Sequence, residues 1–451
     1  MDAPLPPRGR YLIRDAYVIT LDAERGDLPH GDVLVEDGEI VAVGEGLSSP
    51  GSEVLDGTGR ILAPGLVDTH THLWNGLLRG VIEQEPGRTY FEVKRRVARH
   101  YAPEESYVAA RLGLADALMS GTTTVCDWDH NARSPEDVDA KLRAHRDSGM
   151  RTRYAYGNPD NHPRDEVMDL ADVARVQREW LGTRDDGRLS LCVAVRGPAR
   201  TERDILSAEW AFARDRGLPI TLHLGGRRDD AARYADLMQM HRDGLLGPDV
   251  QVVHAVDVTD EEIAMLAATG TSVCLSPLTE YEGMGIPRIT ELLDAGVLVS
   301  LSVDTLAAPL SASLLAVMGT ALTIERGRPR GKAMTARRML ELATIDGARD
   351  LGLDHLIGTI TPGKRADLIL VNRADLNMVP CADPLPVLVL CAQPANVDTV
   401  LVDGRVLKRN GVLTAVDPNE LAAAATRALA AVLDRADWHQ FALPALAEAD
   451  A

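Results

Sequence analysis

The chain has 451 residues, with 48 Lys and Arg against 67 Asp and Glu, a formal net charge of −19. At 45% apolar and 25% charged residues it has the makeup of a soluble globular protein with a sizeable core, which excludes a disordered chain or a coiled coil. Phosphate binding needs clustered Lys and Arg, so the acidic balance argues against nucleic acid or an anionic membrane as partner.

The first ten residues, MDAPLPPRGR, lack the apolar core of a signal peptide. Residues 10–46 then alternate as strands do, and Asp37-Gly38 between two β-rich runs predicts a hairpin. The same texture returns near the other end. ADLILV (366–371) and VDTVLVDGRVLKRNGVL (397–413) carry a second Asp-Gly turn at 403–404. The two all-β pieces are expected to pair into one small β-sandwich domain, residues 1–62 with 359–416.

Between them the rhythm is strand, loop, helix, repeated. Eight strand-like runs follow in order: ILAPGLVDTH, TTTVCDWD, RTRYAYG, LSLCVAVRG, PITLHLGG, VQVVHAVD, TSVCLSP and VLVSLSVD. Ser134-Pro135 opens one intervening helix and Gly149 closes it; Thr259 opens another, with acids in its first turn and Gly270 after it. Eight buried strands separated by helices predict an α/β fold, a (β/α)8 barrel over residues 63–358. An Ala-rich helix near 418–436 falls in a C-terminal extension, 417–451. The longest uncharged stretch, Thr305 to Ile324, contains Pro309, Gly319 and several hydroxyl residues, and reads as buried loop and helix rather than a membrane span. Five cysteines without a CxxC (Cys126, Cys192, Cys274, Cys381, Cys391) suit a reducing cytoplasm.

In such a barrel, chemistry gathers at the C-terminal ends of the strands. Of twelve histidines, His70 and His72 end the first run, His223 lies on the fifth and His254 on the sixth; Asp304 ends the eighth. Strand residues two apart share a face, so His70 and His72 can both reach one ion. Neutral imidazoles plus a carboxylate suit a borderline divalent metal, zinc first and iron second.

The stretches ILAPGLVDTHTHL, TLH (221–223), VVHA (252–255) and SVD (302–304) resemble the amidohydrolase superfamily. LELATIDGARDLGL (340–353) and TITPGKRADLILV (359–371) resemble its downstream helix and its return to the β domain. The nearest subgroup is the cytosine deaminase and triazine hydrolase type, which has one metal per chain. The resemblance implies His70, His72, His223 and Asp304 as metal ligands and His254 as the histidine that polarises substrate. It implies that Asp304 takes the proton of a metal-activated water. It also implies a small-molecule substrate and a homodimer or larger homo-oligomer. LCVAVRG, the fourth run, offers no Lys, which disfavours the two-metal form with a carbamylated lysine.

Three positions depart from that pattern. The glutamate usual three residues after the fifth-strand histidine is missing, since Leu224, Gly225 and Gly226 follow His223. The seventh run reads CLSPLTEYEGMG, and Thr305 follows Asp304. Glu280, and after it Glu282, on the loop past the seventh strand, are candidates to supply the missing acid. Trp74 is a candidate for the pocket wall, His130 for a hydrogen bond to substrate, and Arg196 for pairing with a substrate carboxylate. The sequence predicts a metal-dependent hydrolase of a non-peptide C–N bond in a small, heterocyclic molecule. The lost glutamate tilts that reading slightly toward opening of a ring or amide over deamination. It also leaves open a Lewis-acid cyclase, dehydratase or isomerase, and a binding protein that has kept the barrel.

Overall fold

The computed structural model describes residues 4–184, 186–224, 231–307 and 313–443, with backbone only for 231–236. Alternating burial along Tyr11–Val18 (β1), Leu28–Glu36 (β2) and Glu39–Gly44 (β3) drives a sheet whose apolar face is shared by Ile13, Val33, Val35 and Ile40. The predicted hairpin joins β2 to β3 at Asp37-Gly38, with φ of 48° and 86°. That left-handed pair is what a two-residue turn between right-twisted strands requires.

Glu53–Asp56 (β4) and Arg60–Pro64 (β5) add to β1 in parallel. From the other end of the chain, four more strands extend the same sheet beyond β5. It therefore holds nine strands from both termini, eight in one hydrogen-bonded path and β4 branching from β1. Its far-end hairpin turns at Asp403-Gly404 (φ 52° and 70°). Asp403 accepts from Arg8 (2.7 Å) and Arg365 (2.6 Å), which ties the two chain ends together.

The run ILAPGLVDTH, expected as one strand, is two. The chain leaves the small sheet after β5 and enters the second sheet at Leu66–His72 (β6), switching at Gly65. A Cβ at Gly65 would lie 2.2 Å from the Thr123 side chain, so glycine lets the chain pass Thr123 as it changes sheets.

The second sheet is parallel and continues through Thr122–Asp129 (β7), Arg151–Gly157 (β8), Leu189–Val195 (β9), Ile220–Leu224 (β10), Val250–His254 (β11), Ser272–Leu275 (β12) and Val299–Leu301 (β13). After a break at Ser302-Val303, the eighth predicted run resumes as Asp304–Thr305 (β14), which pairs with β6. The sheet thereby curls round to its own beginning, in the (β/α)8 arrangement that the sequence predicts. The returning chain forms Leu368–Asn372 (β15), Val397–Val402 (β16), Arg405–Arg409 (β17) and Val412–Leu413 (β18) on the small sheet. A buried Arg151–Asp367 pair (2.8 Å) joins the barrel to it.

Helix ends follow the predicted caps. Ser134 accepts from Asp137 N (3.3 Å) at the start of Pro135–Ser148, and Gly149 ends that helix with φ 77°. Thr259 and Glu262 form a capping box, with Gly270 (φ 72°) closing the helix they open.

Three further helices bear on the site. Tyr90–Val97 (α1) and Pro103–Met119 (α2) follow β6. The C-terminal helix Pro418–Arg435 packs Leu429, Val432 and Leu433 into one cluster with Val93, Val97, Trp74 and Leu78, and so braces α1 from behind. Within Thr305 to Ile324, residues 308–312 lie outside the described residues, and Leu314 onward is helix with Leu314, Val317, Met318, Ala321 and Leu322 buried. Among the described residues no helix is long and apolar enough to cross a membrane. All five cysteines are free thiols, and Cys126, Cys192 and Cys274 are buried as small apolar groups.

Candidate active site

The ends of β6, β10, β11 and the short β14 bring His70, His72, His223, His254 and Asp304 to one mouth of the barrel. Nε2 of His70 and Nε2 of His223 stand 3.3 Å apart, and Asp304 Oδ1 lies 3.4 Å from His70 Nε2 and 3.3 Å from His72 Nε2. Two groups of donors each fit within 4.8 Å: His70, His72 and Asp304, and His70, His223 and His254.

Burial lowers the pKa of His70, and pushes His72 and His223 well below the ordinary imidazole range. Neutral imidazoles facing one another at that spacing present lone pairs to a common point. His72 Nδ1 donates to Trp128 O (2.7 Å), which leaves its Nε2 as the free donor atom. This chemistry fits a divalent ion better than it fits internal hydrogen bonding.

Asp304 is buried, which favours the neutral acid. The hydrogen bond from His70 and the charges of His254, His72 and His70 outweigh that and hold its carboxyl well below the usual carboxylate range. Asp68, beneath it on β6, is buried and pushed up to about 8, despite accepting from His70 N (3.3 Å) and Val303 N (3.2 Å). Both His254 (φ 75°) and Asp304 (φ 69°) sit in the left-handed region, a strained backbone for residues with a Cβ. The strain marks the two strand ends where side chains must turn inward.

Glu280 is not on a loop. It lies on a short helix, Pro277–Gly283, and is completely buried. Its Oε1 accepts from His254 Nδ1 (3.1 Å) and from Ser276 N (2.8 Å), while its Oε2 is buried without a partner. Burial pulls the His254 pKa down, but the bond to Glu280 and the charges of Asp304 and Glu280 offset this and raise it. Glu282, two residues on, is exposed.

His130 packs edge-on against His72, with ring centroids 4.0 Å apart, and Trp74 Nε1 donates to His130 Nδ1 (3.3 Å). Both are buried, so Trp74 reaches the site through His130. Arg196 is turned away from an ion pair. Its Nη1 and Nη2 donate to the carbonyls of His162 (2.5 Å) and Pro163 (2.8 Å), holding the loop after β8, and its Nε is buried without a partner. Gly225 and Gly226, where the usual glutamate is missing, lie outside the described residues.

Sequence reading missed a second group of site residues. Trp128 packs on His223 (centroids 4.2 Å), and its Nε1 is buried without a partner. Strand alternation with His130 could have signalled it. Asn158, just past β8, has a buried Nδ2 without a partner. On α1, Tyr90 Oη accepts from Asn75 Nδ2 (3.3 Å) and bonds Thr305, beside Asp304. Nothing local in the sequence points α1 at the cluster of histidines and Asp304.

Comparison with known proteins places the chain in context. A model described as the amidohydrolase family matches residues 61–407. The 5'-deoxyadenosine deaminase of Methanothermobacter thermautotrophicus is 31% identical over 433 residues, covering 91% of this chain and 96% of that one. A 5-methylthioadenosine/S-adenosylhomocysteine deaminase of Symbiobacterium thermophilum is 30% identical over 418 residues, 88% and 93% of the two chains. Among solved structures, an adenosine deaminase from Xanthomonas campestris with bound zinc superposes with a TM-score of 0.85 at 25% identity, over 95% of this chain and 100% of that one.

Proposed function

The chain belongs to the amidohydrolase family, and we propose that it is a hydrolytic deaminase of an amino-substituted purine or related heterocycle. Hydrolysis of a non-peptide C–N bond is the chemistry of the family members it matches. The finer reading, deamination, rests on the convergence of His70, His72, His223 and Asp304 on one point, together with deaminase relatives aligned along some nine-tenths of the chain.

His70, His72, His223 and Asp304 would hold one divalent ion, zinc in preference to iron. When bound, such an ion supplies Lewis acidity and a hydroxide nucleophile at neutral pH. The rest falls to the protein's own groups. Asp304, ionised throughout the physiological range, takes the proton of the attacking water and delivers it to the departing amine. His254 presents Nε2–H to the attacking oxygen and orients it as the ring carbon becomes tetrahedral, while the ring nitrogen, which gains the charge, takes up the second proton of that water. Glu280 is a positioning residue, because its carboxylate fixes Nδ1–H of His254 and stabilises the imidazolium form. Trp74, through His130, and Trp128 close the walls and exclude water.

Incubating metal-loaded protein with adenosine and 5'-deoxyadenosine in heavy-oxygen water tests this reading. Ammonia release with one labelled oxygen in the product is the expected result. Turnover of a substrate without label in the product would remove hydrolysis.

A further inference from the structure

The mouth of the site holds a buried cation that the mechanism above does not use. Lys94, on α1, is 5% exposed, and its Nζ pairs with Asp160 Oδ2 at 2.7 Å. The ammonium lies over the Tyr90 ring, 4.6 Å from its centroid, and 5.4 Å from that of Phe91. Tyr90 is the residue whose hydroxyl meets Asn75 and Thr305 beside Asp304. Lys94 is thus one aromatic ring away from the residue that follows Asp304.

Burying an ammonium is costly unless its charge is matched and its donors are used. Here the match is incomplete. Asp160 is on the loop after β8, is one-third exposed, and is shared with the exposed Arg200 at 4.0 Å. The loop is tied by Arg196 through the carbonyls of His162 and Pro163 and not through its acids. A cation walled by two aromatic rings, with a carboxylate partner reachable from solvent, has the makeup of a site where an incoming anion replaces that partner. In a protein of net charge −19, a local cation favours the approach of an anionic group.

We propose that Lys94 reads an anionic substituent of the substrate, a carboxylate or a phosphate, and that Asp160 is the counter-ion this group displaces. The substrate is then an aminated heterocycle that carries a negative charge away from the scissile C–N bond. This rests on the deaminase reading for its chemistry but not for its binding step.

The test compares kcat/KM of the metal-loaded enzyme on adenosine, adenosine 5'-monophosphate and adenosine 5'-carboxylic acid. The ratio of an anionic substrate to adenosine should fall at least about tenfold in Lys94→Met, mostly through KM, and partly recover in Lys94→Arg. Whichever of the two anions gives the larger ratio identifies the substituent. Asp160→Asn should raise the ratio, because it removes the competing carboxylate; an ion pair that only held α1 to the loop would not respond so. An unchanged ratio in Lys94→Met, or a lower one in Asp160→Asn, would overturn the proposal. If none of the three is deaminated, it is the deaminase reading that has failed. Titration calorimetry of benzoate and benzyl phosphate against benzyl alcohol then decides the binding step alone. Wild-type preference for an anion, lost in Lys94→Met, would support it, and no preference would overturn it.

Discussion

Replacing Glu280 by glutamine removes a charge while leaving the shape of the site intact. Oε1 accepts from both His254 Nδ1 (3.1 Å) and Ser276 N (2.8 Å), so the amide oxygen can take over both bonds. The amide NH2 would occupy the place of Oε2, which has no partner to lose. A hydrogen bond to a charged group contributes about 1.5–3 kcal/mol and a neutral one about 0.5–1.5 kcal/mol. Loss of the charge alone therefore costs roughly 1–1.5 kcal/mol of transition-state stabilisation, about five- to thirteenfold in kcat/KM. The pH profile gives a second reading. Burial lowers the His254 pKa, and Glu280 with Asp304 raises it above the ordinary value. The protonated imidazole consequently persists to higher pH in the wild type. Without the Glu280 charge its pKa drops, so the alkaline limb of kcat/KM must move to lower pH. Glu280→Leu is the harsher control. It strands two buried donors at about 1–3 kcal/mol each and should lower the urea midpoint as well. The assay is ammonia release across the pH range, with urea unfolding of each variant. If Glu280→Gln stays within about twofold of wild type with its alkaline limb unmoved, Glu280 does not act through His254 and the reasoning fails.

The remaining predictions concern the metal, a buried charge network and the crossing between sheets. His70→Ala should reduce metal from about one ion per chain to near none, measured by elemental analysis of untagged protein, with loss of activity; unchanged metal content would refute the ligand set. Lys141 is 1% exposed and donates to Asp129 (2.8 Å), Asp137 (2.8 Å) and Asn131 O (2.9 Å). Lys141→Met leaves two buried carboxylates facing each other, so stability should fall by about 3–5 kcal/mol in urea unfolding. Gly65→Ala places a Cβ 2.2 Å from the Thr123 side chain, where two strands cross. It should cost about 1–3 kcal/mol, and an unshifted midpoint would show that the crossing can relax.

What the sequence by itself determined is what short-range geometry dictates. The Asp-Gly hairpins at 37–38 and 403–404, the caps at Ser134 and Thr259, and the eight apolar runs all follow from φ preferences and side-chain alternation within a few residues. The pairing of His70 with His72 is legible for the same reason, since residues two apart on a strand share a face. Once the runs are taken to close into a barrel, His223, His254 and Asp304 fall in with them. Contacts between elements far apart in sequence were decided only by the tertiary structure. That Glu280 turns inward onto His254 depends on a short helix after β12, which seven residues of sequence cannot announce. Arg196 ends its strand as expected but is claimed by two loop carbonyls, because in the folded chain those acceptors lie nearer than any carboxylate. Tyr90 meets Thr305, and Lys94 lies over its ring, on a helix braced by a C-terminal helix more than three hundred residues downstream. Such placements come from packing apolar faces that the sequence marks as buried without saying against what; only closure of the barrel chooses the partner.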